Sequence, residues 1–392
     1  MKDLPESVVA DPAEFAECCE HLRQCPLIAF DTEFIGEETY IPDLCLIQVA
    51  TPERLMLIDP LTCGPIDEFW NLVADPARTV VVHAGREEIR LCHFGSGSLP
   101  GSIIDVQIAA GLLGLGYPLG YAALINEVLS IRLNKSETLT NWRIRPLTPS
   151  QVRYAFDDVR FLLPIWKKMS DNLKSLDRMS WLTEEVTTLK HRAVVEGPAV
   201  EKWRKLRGIG SLDRKRLAVV RELYAWREEK AARLNRPSRV VLRDDLIVEI
   251  ARRGPKIEAD LTSLRGLGKA DFTGILRAVD VGRELPADEC PEAFERDNDP
   301  PQVALVAGML NSFLADLCIR KQITPAMAST TSDVKALVRA RYHGEPLPEE
   351  SHLTHGWRRD HILPEVLDIL EGRRAMRIGD LRRKSVIEYT EG

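Results

Sequence analysis

Apolar and polar residues in the first 160 positions follow two patterns, one typical of strands and the other typical of helices. Short apolar runs predict buried strands at 26–34, 44–49, 55–58 and 79–82. Helices are predicted to begin after Asp11 and Thr148, which both cap a first-turn proline, and near Arg86. Strands followed by interleaved helices predict an α/β domain with a mixed sheet.

The apolar positions beyond residue 199 keep a helical period, and the connections between the periodic stretches are short. A long amphipathic helix is predicted after Ser211, with one apolar face formed by Leu217, Val220, Leu223 and Tyr224. Four prolines among many acidic residues predict a linker at 286–302, and a shorter break is predicted at 195–198. The predicted segments are 1–195, 199–285, the linker 286–302, and 303–392.

Composition narrows the class of protein. The chain has 392 residues, of which 44% are apolar and 29% charged, as expected for a globular protein. It has no run of about 18 consecutive apolar residues and no apolar signal core at its N-terminus. Its eight scattered cysteines form no C-x-x-C pair, which favours free thiols in a reducing compartment. We therefore expect a cytoplasmic protein that does not associate with membranes.

Charge is distributed unevenly along the chain, although the net charge is only −6. Residues 1–170 carry 14 Lys and Arg against 23 Asp and Glu, a net charge of −9. Residues 199–285 carry 21 against 13, a net charge of +8, and residues 286–392 carry 14 against 18. A basic segment beside an acidic one is typical of a polyanion-binding module joined to a carboxylate-rich catalytic domain. A solvated helical surface that binds nothing would show the same balance.

Two groups of residues suggest metal-dependent chemistry. Asp31 and Glu33 end the first predicted strand, and their i, i+2 spacing directs both carboxylates to one face of the sheet. Two adjacent acids there would repel each other unless a cation lay between them. Tyr154 and Asp158 share one face of the helix that follows Thr148, while Asp157 points elsewhere. On its own, the second group is more typical of a solvated surface pair.

The motifs together resemble a known family. Asp31-x-Glu33, then His83 to Glu88 after a strand, then Tyr154-x-x-x-Asp158, span about 130 residues in the order of the DEDD-type 3′–5′ exonuclease domain, tyrosine subtype. Flanking residues at 46–49, 104–107, 142, 145–147 and 154–159 resemble the ribonuclease D family in particular. The resemblance implies an RNase H-like fold, two bound Mg²⁺ or Mn²⁺ ions, and release of nucleoside 5′-monophosphates from a 3′ end.

The resemblance also implies roles for the site residues. Asp31 would bridge both ions, and Glu33 and Asp158 would complete the site that activates the attacking water. Tyr154 would orient that water through a hydrogen bond, because a phenol with an ordinary pKa of about 10 is a poor base.

Glu88 departs from the family pattern, which has Asp at this position of the second motif. The longer acid keeps the charge but moves the carboxylate by about one bond length. The site either tolerates the shift through a bridging water or loses activity or changes its preference between Mg²⁺ and Mn²⁺. Asp105 could compensate, although the resemblance gives it a structural position.

The basic segment resembles an HRDC domain at 226–230, 235–242 and 261–269. Candidate nucleic-acid contacts in this segment are Arg214, Lys215, Arg216 and Lys269. Residues 303–392 resemble, more weakly, a second HRDC-like helical unit. The fold class predicted for the whole chain is therefore an α/β RNase H-like exonuclease domain followed by all-α HRDC domains.

The predicted function is 3′–5′ exoribonuclease activity on tRNA precursors or other small structured RNAs, carried out by a monomer. Two alternatives stay open at this point. The same domains could act on DNA 3′ ends, or Glu88 could have abolished catalysis and left a nucleic-acid-binding module. Release of nucleoside monophosphates from labelled RNA and DNA would distinguish the three.

Overall fold

A six-stranded mixed sheet lies at the centre of the N-terminal part of the chain in the computed structural model. The structure describes residues 4–36, 38–133, 140–195, 202–294 and 299–391. The strands of the sheet are β1 (Glu6–Val9), β2 (Leu27–Ile35), β3 (Asp43–Ala50), β4 (Leu55–Ile58), β5 (Thr79–Val82) and β6 (Ser102–Asp105). Their spatial order is β1-β4-β3-β2-β5-β6.

The sheet combines antiparallel and parallel pairs, which confirms the predicted mixed sheet. β3 is antiparallel to both β2 and β4, whereas β1–β4, β2–β5 and β5–β6 are parallel pairs. The four predicted strands are confirmed as β2 to β5. The edge strands β1 and β6 were not predicted, because each has only four residues and neither is a continuous apolar run.

Eight helices surround the sheet in residues 4–195, which we call the sheet unit. They are α1 (Pro12–Arg23), α2 (Asp67–Ala74), α3 (Arg86–Ser96), α4 (Val106–Leu112), α5 (Tyr121–Leu129), α6 (Pro149–Arg160), α7 (Leu162–Ser175) and α8 (Met179–Val195). The predicted helix starts are confirmed: Asp11 accepts hydrogen bonds from two amides of α1, and Thr148 forms a capping box with Gln151 at α6.

Residues 202–294 form a separate group of helices, the helical module. Its α-helices are α9 (Arg214–Leu234), α10 (Ser238–Val241), α11 (Asp244–Arg253), α12 (Glu258–Leu261) and α13 (Phe272–Glu284), with 3-10 turns at Lys202–Lys205 and Lys269–Asp271. The predicted apolar face of α9 is buried in the module's core. The predicted cap at Ser211 is wrong: Asp213 caps α9, and its carboxylate accepts a hydrogen bond from the amide of Arg216 at 2.8 Å.

Residues 299–391 form the C-terminal unit. It contains α14 (Pro301–Lys321), α15 (Pro325–Ala328), α16 (Thr331–His343), α17 (Gly356–His361) and α18 (Leu363–Leu370), a 3-10 turn at His352–Thr354, and an antiparallel hairpin of β7 (Arg374–Ile378) and β8 (Ile387–Glu391). The expectation that this segment is entirely helical misses the hairpin. Unlike the helical module, the C-terminal unit shares one continuous apolar core with the sheet unit.

One helix bears on the expectation that the chain does not associate with membranes. Within the described residues, α14 is long and apolar enough to cross a membrane, judged by length and composition alone. A core helix of a soluble protein passes the same test, and α14 buries Val303, Leu310 and Phe313 in the shared core. This feature is therefore weak evidence for a membrane span.

The predicted division into segments falls partly outside the described residues. Residues 196–198 of the predicted break lie outside them, as do residues 295–298 of the predicted linker. The division at 195, 286 and 302 therefore stays a prediction. The shared core differs from the predicted division, because residues 303–392 were expected to form a domain of their own but pack into the core of the sheet unit.

Candidate active site

Asp31 and Glu33 lie in the middle of β2, on either side of the buried Thr32. Asp31 is paired with Gln48 of β3 across the antiparallel ladder, and the ladder shifts register immediately after Glu33. Gln48 is fully buried, and neither its amide nitrogen nor its amide oxygen has a hydrogen-bond partner. β2 therefore places both predicted carboxylates together, beside a polar side chain that the sequence analysis did not single out.

Glu88 reaches the same strand from α3. It is 5% exposed, and its Oε1 accepts a hydrogen bond from Thr32 Oγ1 at 2.8 Å. Glu88 also lies close to Asp31, and burial and then the charge of Glu88 raise the pKa of the Asp31 carboxyl group well above its ordinary value. Thr32 was not predicted to belong to the site. Side chains of adjacent strand residues point to opposite faces, so Thr32 does not follow from the spacing of Asp31 and Glu33. Its contact with Glu88 is visible only in the three-dimensional structure.

Tyr154 and Asp158 enter the site from α6, where the capping box fixes the start of the helix. The Tyr154 phenol lies close enough to the Asp158 carboxylate one turn later for each group to shift the pKa of the other, as expected for i, i+4 neighbours. The Trp142 ring centroid lies 6.0 Å from that of Tyr154. Asp157 instead accepts a hydrogen bond from Arg160 Nε at 2.9 Å. The structure thus separates the two adjacent aspartates as the helical spacing predicts.

The carboxylates of the cluster raise one another's pKa values. Burial raises the pKa of Glu33 to about 8, helped by the charges of Asp31 and Glu88. Burial and then Glu33 raise the pKa of Asp158 to about 8. Burial raises the pKa of Glu88 to about 7, and burial together with Glu88 and Asp158 raises that of Asp31. Without a cation, this cluster therefore holds protons at neutral pH.

The donor set fits a hard divalent cation, because carboxylate oxygens are its only charged ligands. In residues 4–391, leaving out the undescribed stretches, no three Asp, Glu, His or Cys side chains are arranged to hold a metal ion as they stand. Burial, and for Asp31 also the charges of Glu88 and Asp158, raise the pKa values of the Asp31 and Glu88 carboxyl groups, so that they favour the protonated form without a cation. A bound cation would displace protons and require the side chains to turn.

Asp105 has the structural role that the resemblance implies. Its two oxygens accept hydrogen bonds from the amides of Ala84 and Gly85 at 3.1 and 3.0 Å, and Oδ1 also caps α4 through the amide of Gln107. These bonds fix the turn that leads into α3 and hence the position of Glu88. Asp105 therefore positions the site without replacing Glu88.

Tyr121 is a further member of the site that the sequence analysis missed. Burial, followed by the charges of Asp158 and Asp31, raises the pKa of its phenol well above the ordinary value. The ring lies 5.4 Å from that of His83, whose Nε2 is 2.8 Å from the carbonyl oxygen of Leu119. The position of Tyr121 in the sequence has no regular spacing from the acidic motifs, so its proximity to them could not be predicted.

The four cations predicted to contact nucleic acid differ in their surroundings. Arg214 contacts main-chain carbonyls beyond α13, and Lys215 donates to the carbonyl oxygens that end α13. Arg216 pairs with the capping carboxylate of Asp213 at 2.8 Å. These three side chains therefore stabilise the module itself. Lys269 is exposed at the start of a 3-10 turn.

Two family models match this chain, one in the sheet unit and one in the helical module. A family described as 3′–5′ exonuclease matches residues 7–174, and the HRDC domain family matches residues 216–273. The ribonuclease D of Gluconacetobacter diazotrophicus is 31% identical over 374 residues, which cover 94% of this chain and 93% of that protein. The ribonuclease D of Pseudomonas paraeruginosa is 33% identical over 367 residues, covering 93% and 97%.

Two solved structures extend the comparison. The crystal structure of Escherichia coli RNase D, an exoribonuclease involved in structured RNA processing, superposes with a TM-score of 0.79 at 28% identity. The match covers 95% of this chain and 99% of that one. The catalytic core of RRP6 from Trypanosoma brucei superposes with a TM-score of 0.55 at 22% identity over 71% of this chain, which is a likeness of fold.

Proposed function

The chain belongs to the ribonuclease D family and is a 3′–5′ exoribonuclease, and from this premise we propose that it trims the 3′ ends of small structured RNAs, tRNA precursors among them. Nucleoside 5′-monophosphates are the products. The observation that carries the proposal is the cluster formed by Asp31, Glu33, Glu88 and Asp158 with Tyr154 at its edge. The E. coli relative acts in structured RNA processing, which supports this class of substrate.

Exonucleases of the DEDD family use divalent metal ions. For this chain, the proposal is two Mg²⁺ or Mn²⁺ ions held by Asp31, Glu33, Glu88 and Asp158. Held by these carboxylates, the ions would supply Lewis acidity for activating the attacking water and for stabilising the leaving 3′ oxygen. The protein's contribution is to hold four oxygen donors on three elements, and the hydrogen bond from Thr32 fixes the reach of Glu88.

Tyr154 is proposed to orient the attacking water. Burial, and then the charges of Asp158 and Glu33, raise the pKa of its phenol. The phenol therefore stays protonated at neutral pH and acts as a hydrogen-bond donor, not as a base.

Tyr154→Phe is expected to slow RNA hydrolysis by roughly 10- to 1,000-fold, because it removes one positioning hydrogen bond and leaves the ring packed near Trp142. The measurement is single-turnover hydrolysis of labelled RNA, with the melting temperature as the control for folding. An unchanged rate would mean that another group orients the water.

Glu88→Asp is expected to lower kcat/KM modestly, by about two- to tenfold, and not to raise it. The extra methylene of Glu88 is used in the structure, since it carries Oε1 to Thr32. A shorter acid would leave the Thr32 hydroxyl without that acceptor. The assay compares both enzymes on one RNA in Mg²⁺ and in Mn²⁺. Higher activity of Glu88→Asp in Mg²⁺ would show that the native side chain misplaces an ion.

The metal-free protein is expected to lose stability as pH rises from about 4.5 to about 8. Burial and like charges raise the pKa of Glu33 to about 8 and that of Glu88 to about 7. Between the ordinary and raised values, the folded state binds more protons than the unfolded state, so the free energy of unfolding falls with rising pH. The melting temperature from pH 5 to 9, measured in EDTA and separately in Mg²⁺ without EDTA, reports this loss of stability. Mg²⁺ should remove the loss and Glu33→Gln should reduce it; a flat profile in EDTA contradicts the account.

The helical module is proposed to capture the RNA, and the protein is proposed to act as a cytoplasmic monomer. Residues 199–285 carry a net charge of +8 beside a sheet unit of opposite sign, and phosphate contacts by cations supply affinity that falls with salt. Lys269 is exposed, and it is the candidate contact we favour because the other three predicted cations bond within the module. Lys269→Gln should therefore reduce the salt dependence of RNA binding.

The function is tested with 3′-overhang RNA hairpins and DNA of the same sequence, each 5′-labelled, in Mg²⁺, Mn²⁺ or EDTA. The expected result is stepwise shortening of the RNA from its 3′ end with release of nucleoside 5′-monophosphates. Preferential shortening of the DNA would overturn the proposed substrate class. Binding without any product in either metal would show that catalysis has been lost.

A further inference from the structure

One side chain of the helical module binds the loop that follows the catalytic strand. Oδ1 of Asn235 accepts hydrogen bonds from the amides of Tyr40 and Ile41, at 3.2 and 3.1 Å. This loop joins β2 to β3 and begins three residues after Glu33. The contact therefore links the end of α9 with the segment nearest to two of the proposed metal ligands.

The backbone at Asn235 suits this role. Asn235 ends α9 in the left-handed conformation, with a φ of 46°, and its amide bonds to carbonyls of the last turn. Asparagine tolerates this conformation better than other residues with a side chain, and it also offers a carbonyl acceptor. Glycine would keep the helix end but provide no acceptor. The contribution of the side chain can thus be removed without changing the backbone.

A second contact lies beside the first. Burial, followed by the charge of Glu228 on α9, raises the pKa of the Tyr40 phenol to about 12, because the phenol lies near this carboxylate. Glu228 is 8% exposed, and Arg227 Nε and the hydroxyl of Ser238 donate hydrogen bonds to it at 3.1 and 2.9 Å. The module thus presents a rigidly held carboxylate and an amide to one loop of the sheet unit.

These polar contacts matter because the two units do not share an apolar core. The buried cluster of the helical module consists of its own residues from Trp203 to Val279, and the sheet unit contributes none of them in the described part of the chain. Domains joined by a small polar interface rotate relative to each other unless specific bonds fix them. The hydrogen bonds from the amides of Tyr40 and Ile41 to Asn235 are such bonds, and the Tyr40 phenol near Glu228 adds a second polar contact.

The loop is also tied to the active site from its other side. Arg143 forms ion pairs with Glu38 and Asp43, at opposite ends of the loop. Its neighbour Trp142 lies beside the Tyr154 ring. A movement of the loop would therefore reach the segment that packs against the proposed water-orienting phenol.

Cations of the module lie next to this contact. Lys205 and Arg239 line a cavity of about 390 Å³ together with Tyr224 and Glu228. A strand of RNA bound to these cations would lie at the junction with the sheet unit. The contacts of Asn235 and Glu228 would then decide how far its 3′ end is from the carboxylate cluster.

We propose that Asn235 and Glu228 form an interdomain latch on the loop containing Tyr40, and that this latch holds the helical module in the orientation that delivers the 3′ end of a structured RNA to the active site. Asn235, Glu228 and Tyr40 are positioning residues that do not touch the reacting phosphate. The proposal rests on the proposed function in assigning RNA capture to the helical module.

Orientation is measured first, without reference to activity. Spin labels on Glu17→Cys of α1 and Glu229→Cys of α9 report the distance between the units, because both positions are exposed and the eight native cysteines are buried. In the full-length protein, Asn235→Gly and Tyr40→Phe are expected to widen the distance distribution. Gln322→Gly, which changes another left-handed helix end remote from the loop, is the matched control and should leave it unchanged.

Kinetics then show whether the orientation serves substrate capture. With a hairpin RNA, Asn235→Gly should raise KM by about three- to thirtyfold, as expected for losing one or two hydrogen bonds. With an oligonucleotide of about four nucleotides, too short to contact both units, kcat should stay within about twofold. Gln322→Gly should behave as the unchanged enzyme on both.

Three results would overturn the latch. An unchanged distance distribution in both variants would show that other contacts orient the module. A wider distribution with an unchanged KM for hairpin RNA would show that orientation does not serve capture. An equal loss of kcat on the short oligonucleotide would place the effect in the active site. The distance measurement stands even if the unmodified protein fails to cleave RNA, so failure of the proposed function is recognised separately.

Discussion

Asp31→Asn is expected to lower RNA hydrolysis by about 1,000-fold or more while stabilising the protein in the absence of metal. Activity falls because the substitution removes a charged oxygen donor from the position where β2 meets Glu88. Stability rises because burial and the charges of Glu88 and Asp158 raise the pKa of Asp31 well above its ordinary value, so its ionised form is disfavoured in the folded protein. An amide there can donate a hydrogen bond to Glu88 and carries no charge.

Asp31→Asn is expected to lower activity and raise stability. A variant that merely unfolds would lose both, so the two measurements together distinguish these causes. Hydrolysis is measured under single-turnover conditions in Mg²⁺, and the melting temperature is measured at pH 8 in EDTA. Asp157→Asn is the matched control, because this carboxylate pairs with Arg160 away from the cluster. A rate near that of the unmodified enzyme would remove Asp31 from the site. A lower melting temperature in EDTA would contradict mutual repulsion as the cause of the raised pKa values.

Four of the six strands of the mixed sheet and the spacing of the acidic motifs could be predicted from the sequence, because these features are local. β2 to β5 are apolar runs, and the spacings of Asp31 with Glu33 and of Tyr154 with Asp158 follow directly from strand and helix geometry. The bond between Thr32 and Glu88 could not be predicted in this way. It joins residues 56 positions apart, on β2 and α3, and only the tertiary fold brings them together.

The position of the C-terminal unit could not be predicted for a related reason. Its helices have ordinary amphipathic periods, which show that a face is buried but not what covers it. In the structure, the indole of Trp357 stacks on that of Trp181 at 4.5 Å, and Arg178 donates a hydrogen bond to the carbonyl oxygen of Gln322 at 2.8 Å. These contacts extend the core of the sheet unit into a segment that the sequence presents as a separate domain.

Trp357→Ala is therefore expected to destabilise the sheet unit by about 3–5 kcal/mol, the usual range for removing a buried tryptophan. The side chain is 3% exposed, and besides stacking on Trp181 its Nε1 donates a hydrogen bond to Glu185 at 2.8 Å. Truncation leaves a cavity between α8 and α17 and removes one donor from a half-buried carboxylate. Because the core is continuous, the loss should extend to the central strands.

Hydrogen exchange of the full-length protein shows which elements lose stability in Trp357→Ala. In Trp357→Ala, the amides of β2 and β3 should exchange faster, together with those of α17. The matched variant Trp203→Ala removes an equally buried indole from the helical module and should accelerate exchange in α9 and α13 while the sheet stays protected. If Trp357→Ala opened only residues 299–391 and left β2 protected, the C-terminal unit would be an independent domain. The sheet unit would then retain its stability and the geometry of its carboxylate cluster without it.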